Sequence, residues 1–439
     1  MKFRRSWALW VLATPAFGQY AGPAILARGE APAAMSSPQI DFRPFVELTG
    51  IYDNGLTGVV LNQQGQVGSS DSAGLMVVWG ISGTHSWRHT KVGLNYRGSV
   101  THYDKSNYYD SSEQSLLLGI THQFSPHTML TLRESAGMFS QDYGTATALS
   151  QTVPFDPAAS YIPTTDFFDN RTFYLTTQAD FTVQKTARLS FNVGGDGTDV
   201  VRRSSALYGV VGGTARGDVQ YRLTRRTTIG AMYNYQHFDF NRIQGGTDIH
   251  GIAGSYSTRL NRTVEFSGYL GFMRAESKFL QEVAVDPVIA ALLGISAAPQ
   301  IVHHITTTPN FSGRFSKTFV RGVVYVDGGH TVVPGNGLFL TSYGYNASAA
   351  YVYTGLRRWS FRTSAGFNRY TSTGPIGGRY GDYSGVLSAS RQLTRATHFV
   401  AEVDARRYHS GDYSNYNRSR WTVRVGFGFT PGDVPLRIW

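Results

Sequence analysis

Long segments of this chain alternate strictly between apolar and polar residues. From Lys91 to His102, Val92, Leu94, Tyr96 and Val100 fall on one side, with Lys91, Asn95, Arg97, Ser99 and Thr101 on the other. Leu189, Phe191 and Val193 oppose Arg188, Ser190 and Asn192. Near the end, Trp421, Val423, Val425, Phe427 and Phe429 oppose Arg420, Thr422, Arg424, Gly426 and Gly428. Successive side chains of an extended chain point to opposite faces, so each segment is a strand with one greasy and one wet side. Many runs last about 10–15 residues, against roughly 5–6 in ordinary globular sheets. About 9–11 tilted residues suffice to cross a bilayer as a strand. Lipid offers the backbone no partners, so strands of this pattern are restricted to a closed barrel.

The punctuation between these runs repeats. Leu223-Thr224-Arg225-Arg226-Thr227, Leu393-Thr394-Arg395-Ala396-Thr397 and Phe124-Ser125-Pro126-His127-Thr128 share one plan, and Leu260-Asn261-Arg262-Thr263 and Phe315-Ser316-Lys317-Thr318 are shorter versions. Val183-Gln184-Lys185-Thr186 and Tyr353–Arg358 are looser relatives. Each sets an apolar residue, then small or basic residues, before a new alternating run, as a tight hairpin turn requires. Most recur roughly every 40 residues, one unit of strand-loop-strand-turn. Two longer intervals contain insertions, Tyr143–Phe168 and Lys278–His303. In the second, Asp286-Pro287 before an apolar run ending at Gly294 spells a short helix. Either insertion could fold into the lumen as a constriction or pack on the barrel mouth.

Counting segments from Phe42–Asp53 to Asn417–Phe429 predicts an all-β, antiparallel, up-and-down transmembrane barrel of about 18 strands, within a range of 16–18. The second insertion is expected to lie between strands Thr263–Ser277 and Thr306–Phe315, and Gly194–Asp199 at a hairpin tip. Thr128–Asp142 carries Glu134 on its apolar face, and Val323-Val324 breaks the alternation of Thr318–Thr331.

Composition agrees. The mean hydropathy of −0.22 is too low for a helical membrane protein but suits half-polar strands, and aromatic residues, 13% of the chain, can supply interfacial girdles. Zero cysteines exclude a disulfide scaffold or a thiolate metal site. Lys2, Arg4 and Arg5, then apolar Trp7–Ala13, then Ala16-Phe17-Gly18, read as a signal peptide over residues 1–18. Residues 19–40 read as an unfolded leader, 41–430 as the barrel and 431–439 as a C-terminal tail. The formal charge of +11 is scattered over strand faces and turns with no clustered arm, which speaks against nucleic acid. It suits a weakly positive pore, or contact with anionic lipid headgroups.

No catalytic constellation emerges, and neither cofactor nor metal is implied: the Gly-x-Ser-x-Gly, Walker and His-Glu-x-x-His patterns are absent. Adjacent His303-His304 would point oppositely on a strand, and Gly194–Asp199 lacks the twelfth-position Glu of a calcium loop. Function is expected on the polar face. Lys91, Arg97, Arg216, Arg222, Arg259, Arg314, Arg321, Arg362, Arg406, Arg420 and Arg424 take that parity, as do Glu47, Asp180, Asp218, Glu265, Asp327, Glu402 and Asp404. Facing charges of both signs either set a transverse field with mild anion preference or neutralise one another and brace the wall.

The run Trp421-x-Val423-x-Val425-x-Phe427-x-Phe429 resembles the aromatic-ending terminal strand of bacterial outer-membrane β-barrel proteins, a porin-like class. That resemblance implies recognition by the barrel-assembly machinery through these residues or, since the chain continues, through Trp439. It also implies the outer membrane of a Gram-negative bacterium, with outer-membrane lipid and lipopolysaccharide as surroundings. The expected function is passive diffusion of small hydrophilic solutes. The alternative is a conduit for an exported polymer such as exopolysaccharide, working with a periplasmic partner. A soluble β-propeller would need four short strands per repeat where this chain holds two long ones.

Overall fold

The computed structural model describes residues 43–429 apart from 62–66, 106–109, 140–170, 206, 244, 285–296, 335–339, 354, 357, 374–377, 395 and 412–416. The signal peptide, the leader, the Tyr143–Phe168 insertion, the Asp286–Gly294 helix, the tail and Trp439 therefore lie outside the described residues.

Eighteen strands form one closed antiparallel sheet. They are β1 Arg43–Leu61, β2 Val67–Ser86, β3 Thr90–Tyr103, β4 Ser111–Ser125, β5 Thr128–Phe139 and β6 Thr172–Gln184. Then come β7 Leu189–Arg202, β8 Val210–Arg222, β9 Thr227–Phe240, β10 Gly245–Arg259, β11 Val264–Ala284 and β12 Ala297–Phe319. The last six are β13 Gly322–Pro334, β14 Thr341–Tyr353, β15 Trp359–Ser372, β16 Arg379–Gln392, β17 Thr397–Ser410 and β18 Arg418–Phe429. Each strand pairs with its sequence neighbours, and β18 returns to β1 in register from Val46↔Phe429 to Asn54↔Trp421.

The turns show why the Leu-Thr-Arg-Arg-Thr motif recurs. Thr224 Oγ1 accepts hydrogen bonds from the backbone N–H groups of Arg226 (3.1 Å) and Thr227 (3.0 Å). Thr394 does the same for Ala396 and Thr397, and Thr186 for Arg188 and Leu189. In the shorter turn Asn261 Oδ1 takes the Thr263 N–H at 2.8 Å. A short polar side chain at the first turn position satisfies donors that a two-strand reversal would otherwise orphan.

Inverted burial identifies the solvent outside. On β10 and β11 the inward face is buried, whereas Ile252, Leu270 and Phe272 on the outward face are 65%, 70% and 63% exposed. Val425, Phe427 and Phe429 are likewise exposed while Arg420, Thr422 and Arg424 beside them are buried. A continuous apolar outer belt of this kind is stable only against lipid. Aromatic pairs rim it, with Trp359 stacked on Phe361 and Phe399 edge-on to Phe427 at the short-turn end, and Tyr52 against Trp421 at the long-loop end.

Three local expectations need correction. Residues 278–284 and 297–303 are not an irregular insertion: β11 and β12 pair as far as Ala284↔Ala297, a hairpin taller than its neighbours. Asp286-Pro287 and the poor alternation of Val302-His303-His304 disguised it. The segment Gly194–Asp199 is not a hairpin tip but lies inside β7, paired on both sides. The first segment, expected over Phe42–Asp53, does not stop at Asp53 either: β1 runs on to Leu61 and pairs there with the start of β2.

Glu134 sits mid-strand on the outer face, opposite Leu118 and Thr177. A carboxylate there faces hydrocarbon and opposes insertion, by less than the roughly 2–4 kcal/mol of a midplane arginine. Glu134→Leu is therefore expected to raise the temperature at which the folded band converts to the unfolded one on denaturing gels. An unchanged or lowered conversion temperature would place Glu134 away from lipid.

Candidate functional site

The inner face is the candidate site, and strand parity delivers its residues. Lys91 and Arg97 on β3, Arg216, Asp218 and Arg222 on β8, Arg259 on β10, Glu265 on β11 and Arg314 on β12 share the inward register, continuous with buried neighbours across each ladder. So do Arg362 on β15, Glu402, Asp404 and Arg406 on β17, and Arg420 and Arg424 on β18. Arg321 does not: it lies in the exposed β12–β13 turn, because β13 starts at Gly322.

These groups meet in separate clusters. At the seam, Asp53 on β1 is fully buried. It accepts from Arg420 Nε at 3.0 and 3.1 Å, from the Arg420 Nη2, and from Thr422 Oγ1 at 3.1 Å. A bulge just above makes room. Gly55 adopts φ 127°, and a Cβ there would come within 3.1 Å of the Arg420 backbone. The left-handed backbone and the missing side chain together seat the guanidinium.

On the wall of β6–β8, Arg216 donates to Asp180 (Nη2 2.6 Å, Nε 3.1 Å) and to Asp196 (Nη1 2.7 Å). Asp180 and Arg216 stand on strands separated by β7, and Gly194 lies between them in register. A Cβ at Gly194 would fall 2.1 Å from Asp180 Oδ1, so the glycine floor lets the pair close over it. Asn192 and Gln220 then donate to Asp218 at 3.2 and 3.1 Å. Glu402 stands between Arg362 and Arg424 in one row, 3.4 Å from Arg424 Nη1, and Arg259 binds Glu265 near the short-turn end. Arg406 faces Arg420 directly across the β17–β18 ladder, where like charges repel; Arg420 is held by Asp53, and Arg406 reaches Tyr408 Oη at 3.3 Å.

Exposure along the inner face changes with height. Lys91, Arg259 and Glu265, beside the short turns, are exposed, whereas Arg216, Arg362, Arg406 and Arg424, further up, are 5–7% exposed. Between β7 and β14 the long-loop end is apolar inside. Val200, Val210, Phe238, Phe240, Ile249, Met273 and Phe279 form one buried cluster with Val332 and Leu340. The β12–β13 ladder stops at Phe311↔His330, and beyond it β13 leaves β12. The upper part of this hairpin reaches β10 and β11 instead. Thr341 bonds Thr247 at 2.6 Å, and Thr331 Oγ1 lies 3.5 Å from Met273 Sδ. On this side of the mouth β10 and β14, four strands apart in the barrel, thus touch.

Periodicity missed Asp53, Asp196 and this apolar mouth. Asp53 shares its face with Ile51, and Asp196 is surrounded by glycines; their charge at inward parity was the available signal.

Fold and inner face together define a membrane-spanning β-barrel of the outer-membrane type, with an ionic, hydrogen-bonded interior. No family model and no curated protein matches the chain. Among solved structures it is similar to a BenF-like porin from Pseudomonas fluorescens Pf-5, at 10% identity over 89% of this chain and 99% of that one, with a TM-score of 0.41. It is similar to OccAB1 of Acinetobacter baumannii at 10% identity, covering 92% and 99%, with a TM-score of 0.41. The ferric-catecholate import receptor Fiu of E. coli K12 is matched at 8% identity, covering 90% and 82%, with a TM-score of 0.42. These likenesses are of barrel form and carry nothing about solute.

Removing one partner of a buried ion pair strands the other, at about 3–5 kcal/mol. Asp53→Ala is therefore expected to lower the gel conversion temperature sharply, and Asp53→Ala with Arg420→Met to recover much of the loss. A mild effect of Asp53→Ala would mean that the ladder alone closes the barrel.

Proposed function

We propose that the chain is a passive channel of the outer membrane for small hydrophilic solutes, with a mild preference for anions. The supporting observation is a closed barrel whose interior is lined by ion pairs and amides while its exterior is lined by exposed apolar residues. Such a wall replaces part of a polar solute's hydration and excludes nothing by hydrophobicity until the mouth. Preference for anions is supported at the short-turn end, where exposed Lys91 faces inward and Glu265 is already taken by Arg259. Most other inner charges brace each other, so the preference is weak. The apolar mouth sets a small size limit and low unit conductance, which counts against a conduit for a bulky polymer. With short turns toward the periplasm, the mouth faces outside.

In a planar bilayer the purified protein is expected to show small stepwise conductances with reversal potentials shifted modestly toward the anion. Phe279→Ala with Thr341→Ala, loosening the mouth, should raise unit conductance severalfold. Silence from both proteins, folded by gel mobility, would overturn the channel.

A further inference from the structure

The turn motif that organises the sequence lies beyond the strands, at one end of the barrel. We infer that the ring of short turns docks on anionic phospholipid headgroups of the leaflet at that end of the barrel. This rests on the membrane-spanning barrel and is independent of whether the barrel conducts.

Eight short turns join β2–β3 through β16–β17, and none contains Asp or Glu, whereas all contain Lys, Arg or His. Arg88, Arg188, Arg225, Arg262, Arg321 and Arg358 are all exposed, on six of these eight turns. The side chains of Arg88, Arg188, Arg225 and Arg262 make no hydrogen bond or ion pair among the described residues. Their turns are held instead by backbone contacts, and by Thr186, Thr224 and Asn261 in the latter three. These arginines are spare: the fold does not need their charge.

Four of these bases also have an exposed greasy neighbour. Trp87 is 57% exposed, Leu223 53%, Leu260 59% and Val320 fully so. Apolar residue beside arginine is the arrangement that suits a lipid interface, the first entering the acyl boundary and the second reaching phosphate. The opposite rim is built otherwise. There Asp71 pairs with Lys105 at 2.9 Å and Asp239 and Asp248 bracket His237, so bases and acids alternate. A soluble acidic protein would engage one sector, whereas this ring runs round the circumference in step with the strands. A second copy of the chain would present the same positive rim and be repelled.

The test compares lipid retention by native mass spectrometry of the detergent-solubilised full chain given equal phosphatidylglycerol and phosphatidylcholine. Wild type is expected to retain phosphatidylglycerol preferentially, less so as ionic strength rises. Each neutralised arginine should reduce the preference about fivefold when it lies at the headgroups. Arg88→Gln, Arg188→Gln, Arg225→Gln and Arg262→Gln combined should therefore abolish it. Arg203→Gln, Arg274→Gln, Arg369→Gln and Arg407→Gln, at the other end, should leave it intact. Should the first combination fail to fold, Arg225→Gln with Arg262→Gln gives a graded loss. An indifferent wild type, or a preference that survives loss of the ring, overturns the inference. So does binding of polyglutamate in place of phosphatidylglycerol, which would indicate an acidic protein partner.

Discussion

Everything in this molecule follows from the backbone's need for partners where no water can supply them. An open sheet in hydrocarbon would leave a row of N–H and C=O groups unpaired along each edge, at several kcal/mol per group. The return of β18 to β1 removes both edges. Between Val46↔Phe429 and Asn54↔Trp421 the first and last strands pair over most of the belt's height, and Asp53 fastens Arg420 and Thr422 across that seam. Closure is the step with the longest loop to shut, since it joins residues almost a whole chain apart. A buried charge pair is a poor source of net stability but penalises every misregistered pairing, because a shift of one residue would strand Asp53 or Arg420.

Given closure, the period of two assigns each residue a solvent. Outside, lipid accepts any apolar side chain, so the outer face varies freely among Val, Leu, Phe and Tyr. Inside, groups must satisfy one another. The Arg216 cluster shows how this is done across three strands at once, with Gly194 as a floor so that the flanking side chains can meet. In the channel we propose, the near-neutrality that stabilises the wall leaves selectivity weak. Size discrimination then falls to the mouth, where the β13–β14 hairpin abandons β12 and packs against β10 and β11.

Alternation made the architecture legible, because the pattern that crosses a bilayer is written one residue at a time: every segment like Trp421–Phe429 states its own two faces. Turns were legible for a similar reason, since Thr224 or Asn261 acts on atoms two or three residues away. Lumen charges could be assigned a face, but Arg321 went astray because the strand start lay one residue beyond it. The tall β11–β12 hairpin was hidden by its position above lipid, where neither face must be greasy. Gly194-Gly195 looked like a loop because glycine is usual in turns, and here its small size serves the Asp180–Arg216 pair. The apolar mouth could not be read at all: Phe279 and Leu340 acquire their meaning only as members of one buried cluster drawn from several strands.

A chain without cysteine permits single-cysteine spin labels at every position from 421 to 429, reconstituted in lipid. The account predicts that labels at positions 421, 423, 425 and 427 are readily relaxed by oxygen dissolved in the bilayer, and that those at 422, 424 and 426 are not. Uniform accessibility along the strand, or oxygen relaxation at 422, 424 and 426 in place of their neighbours, would contradict it.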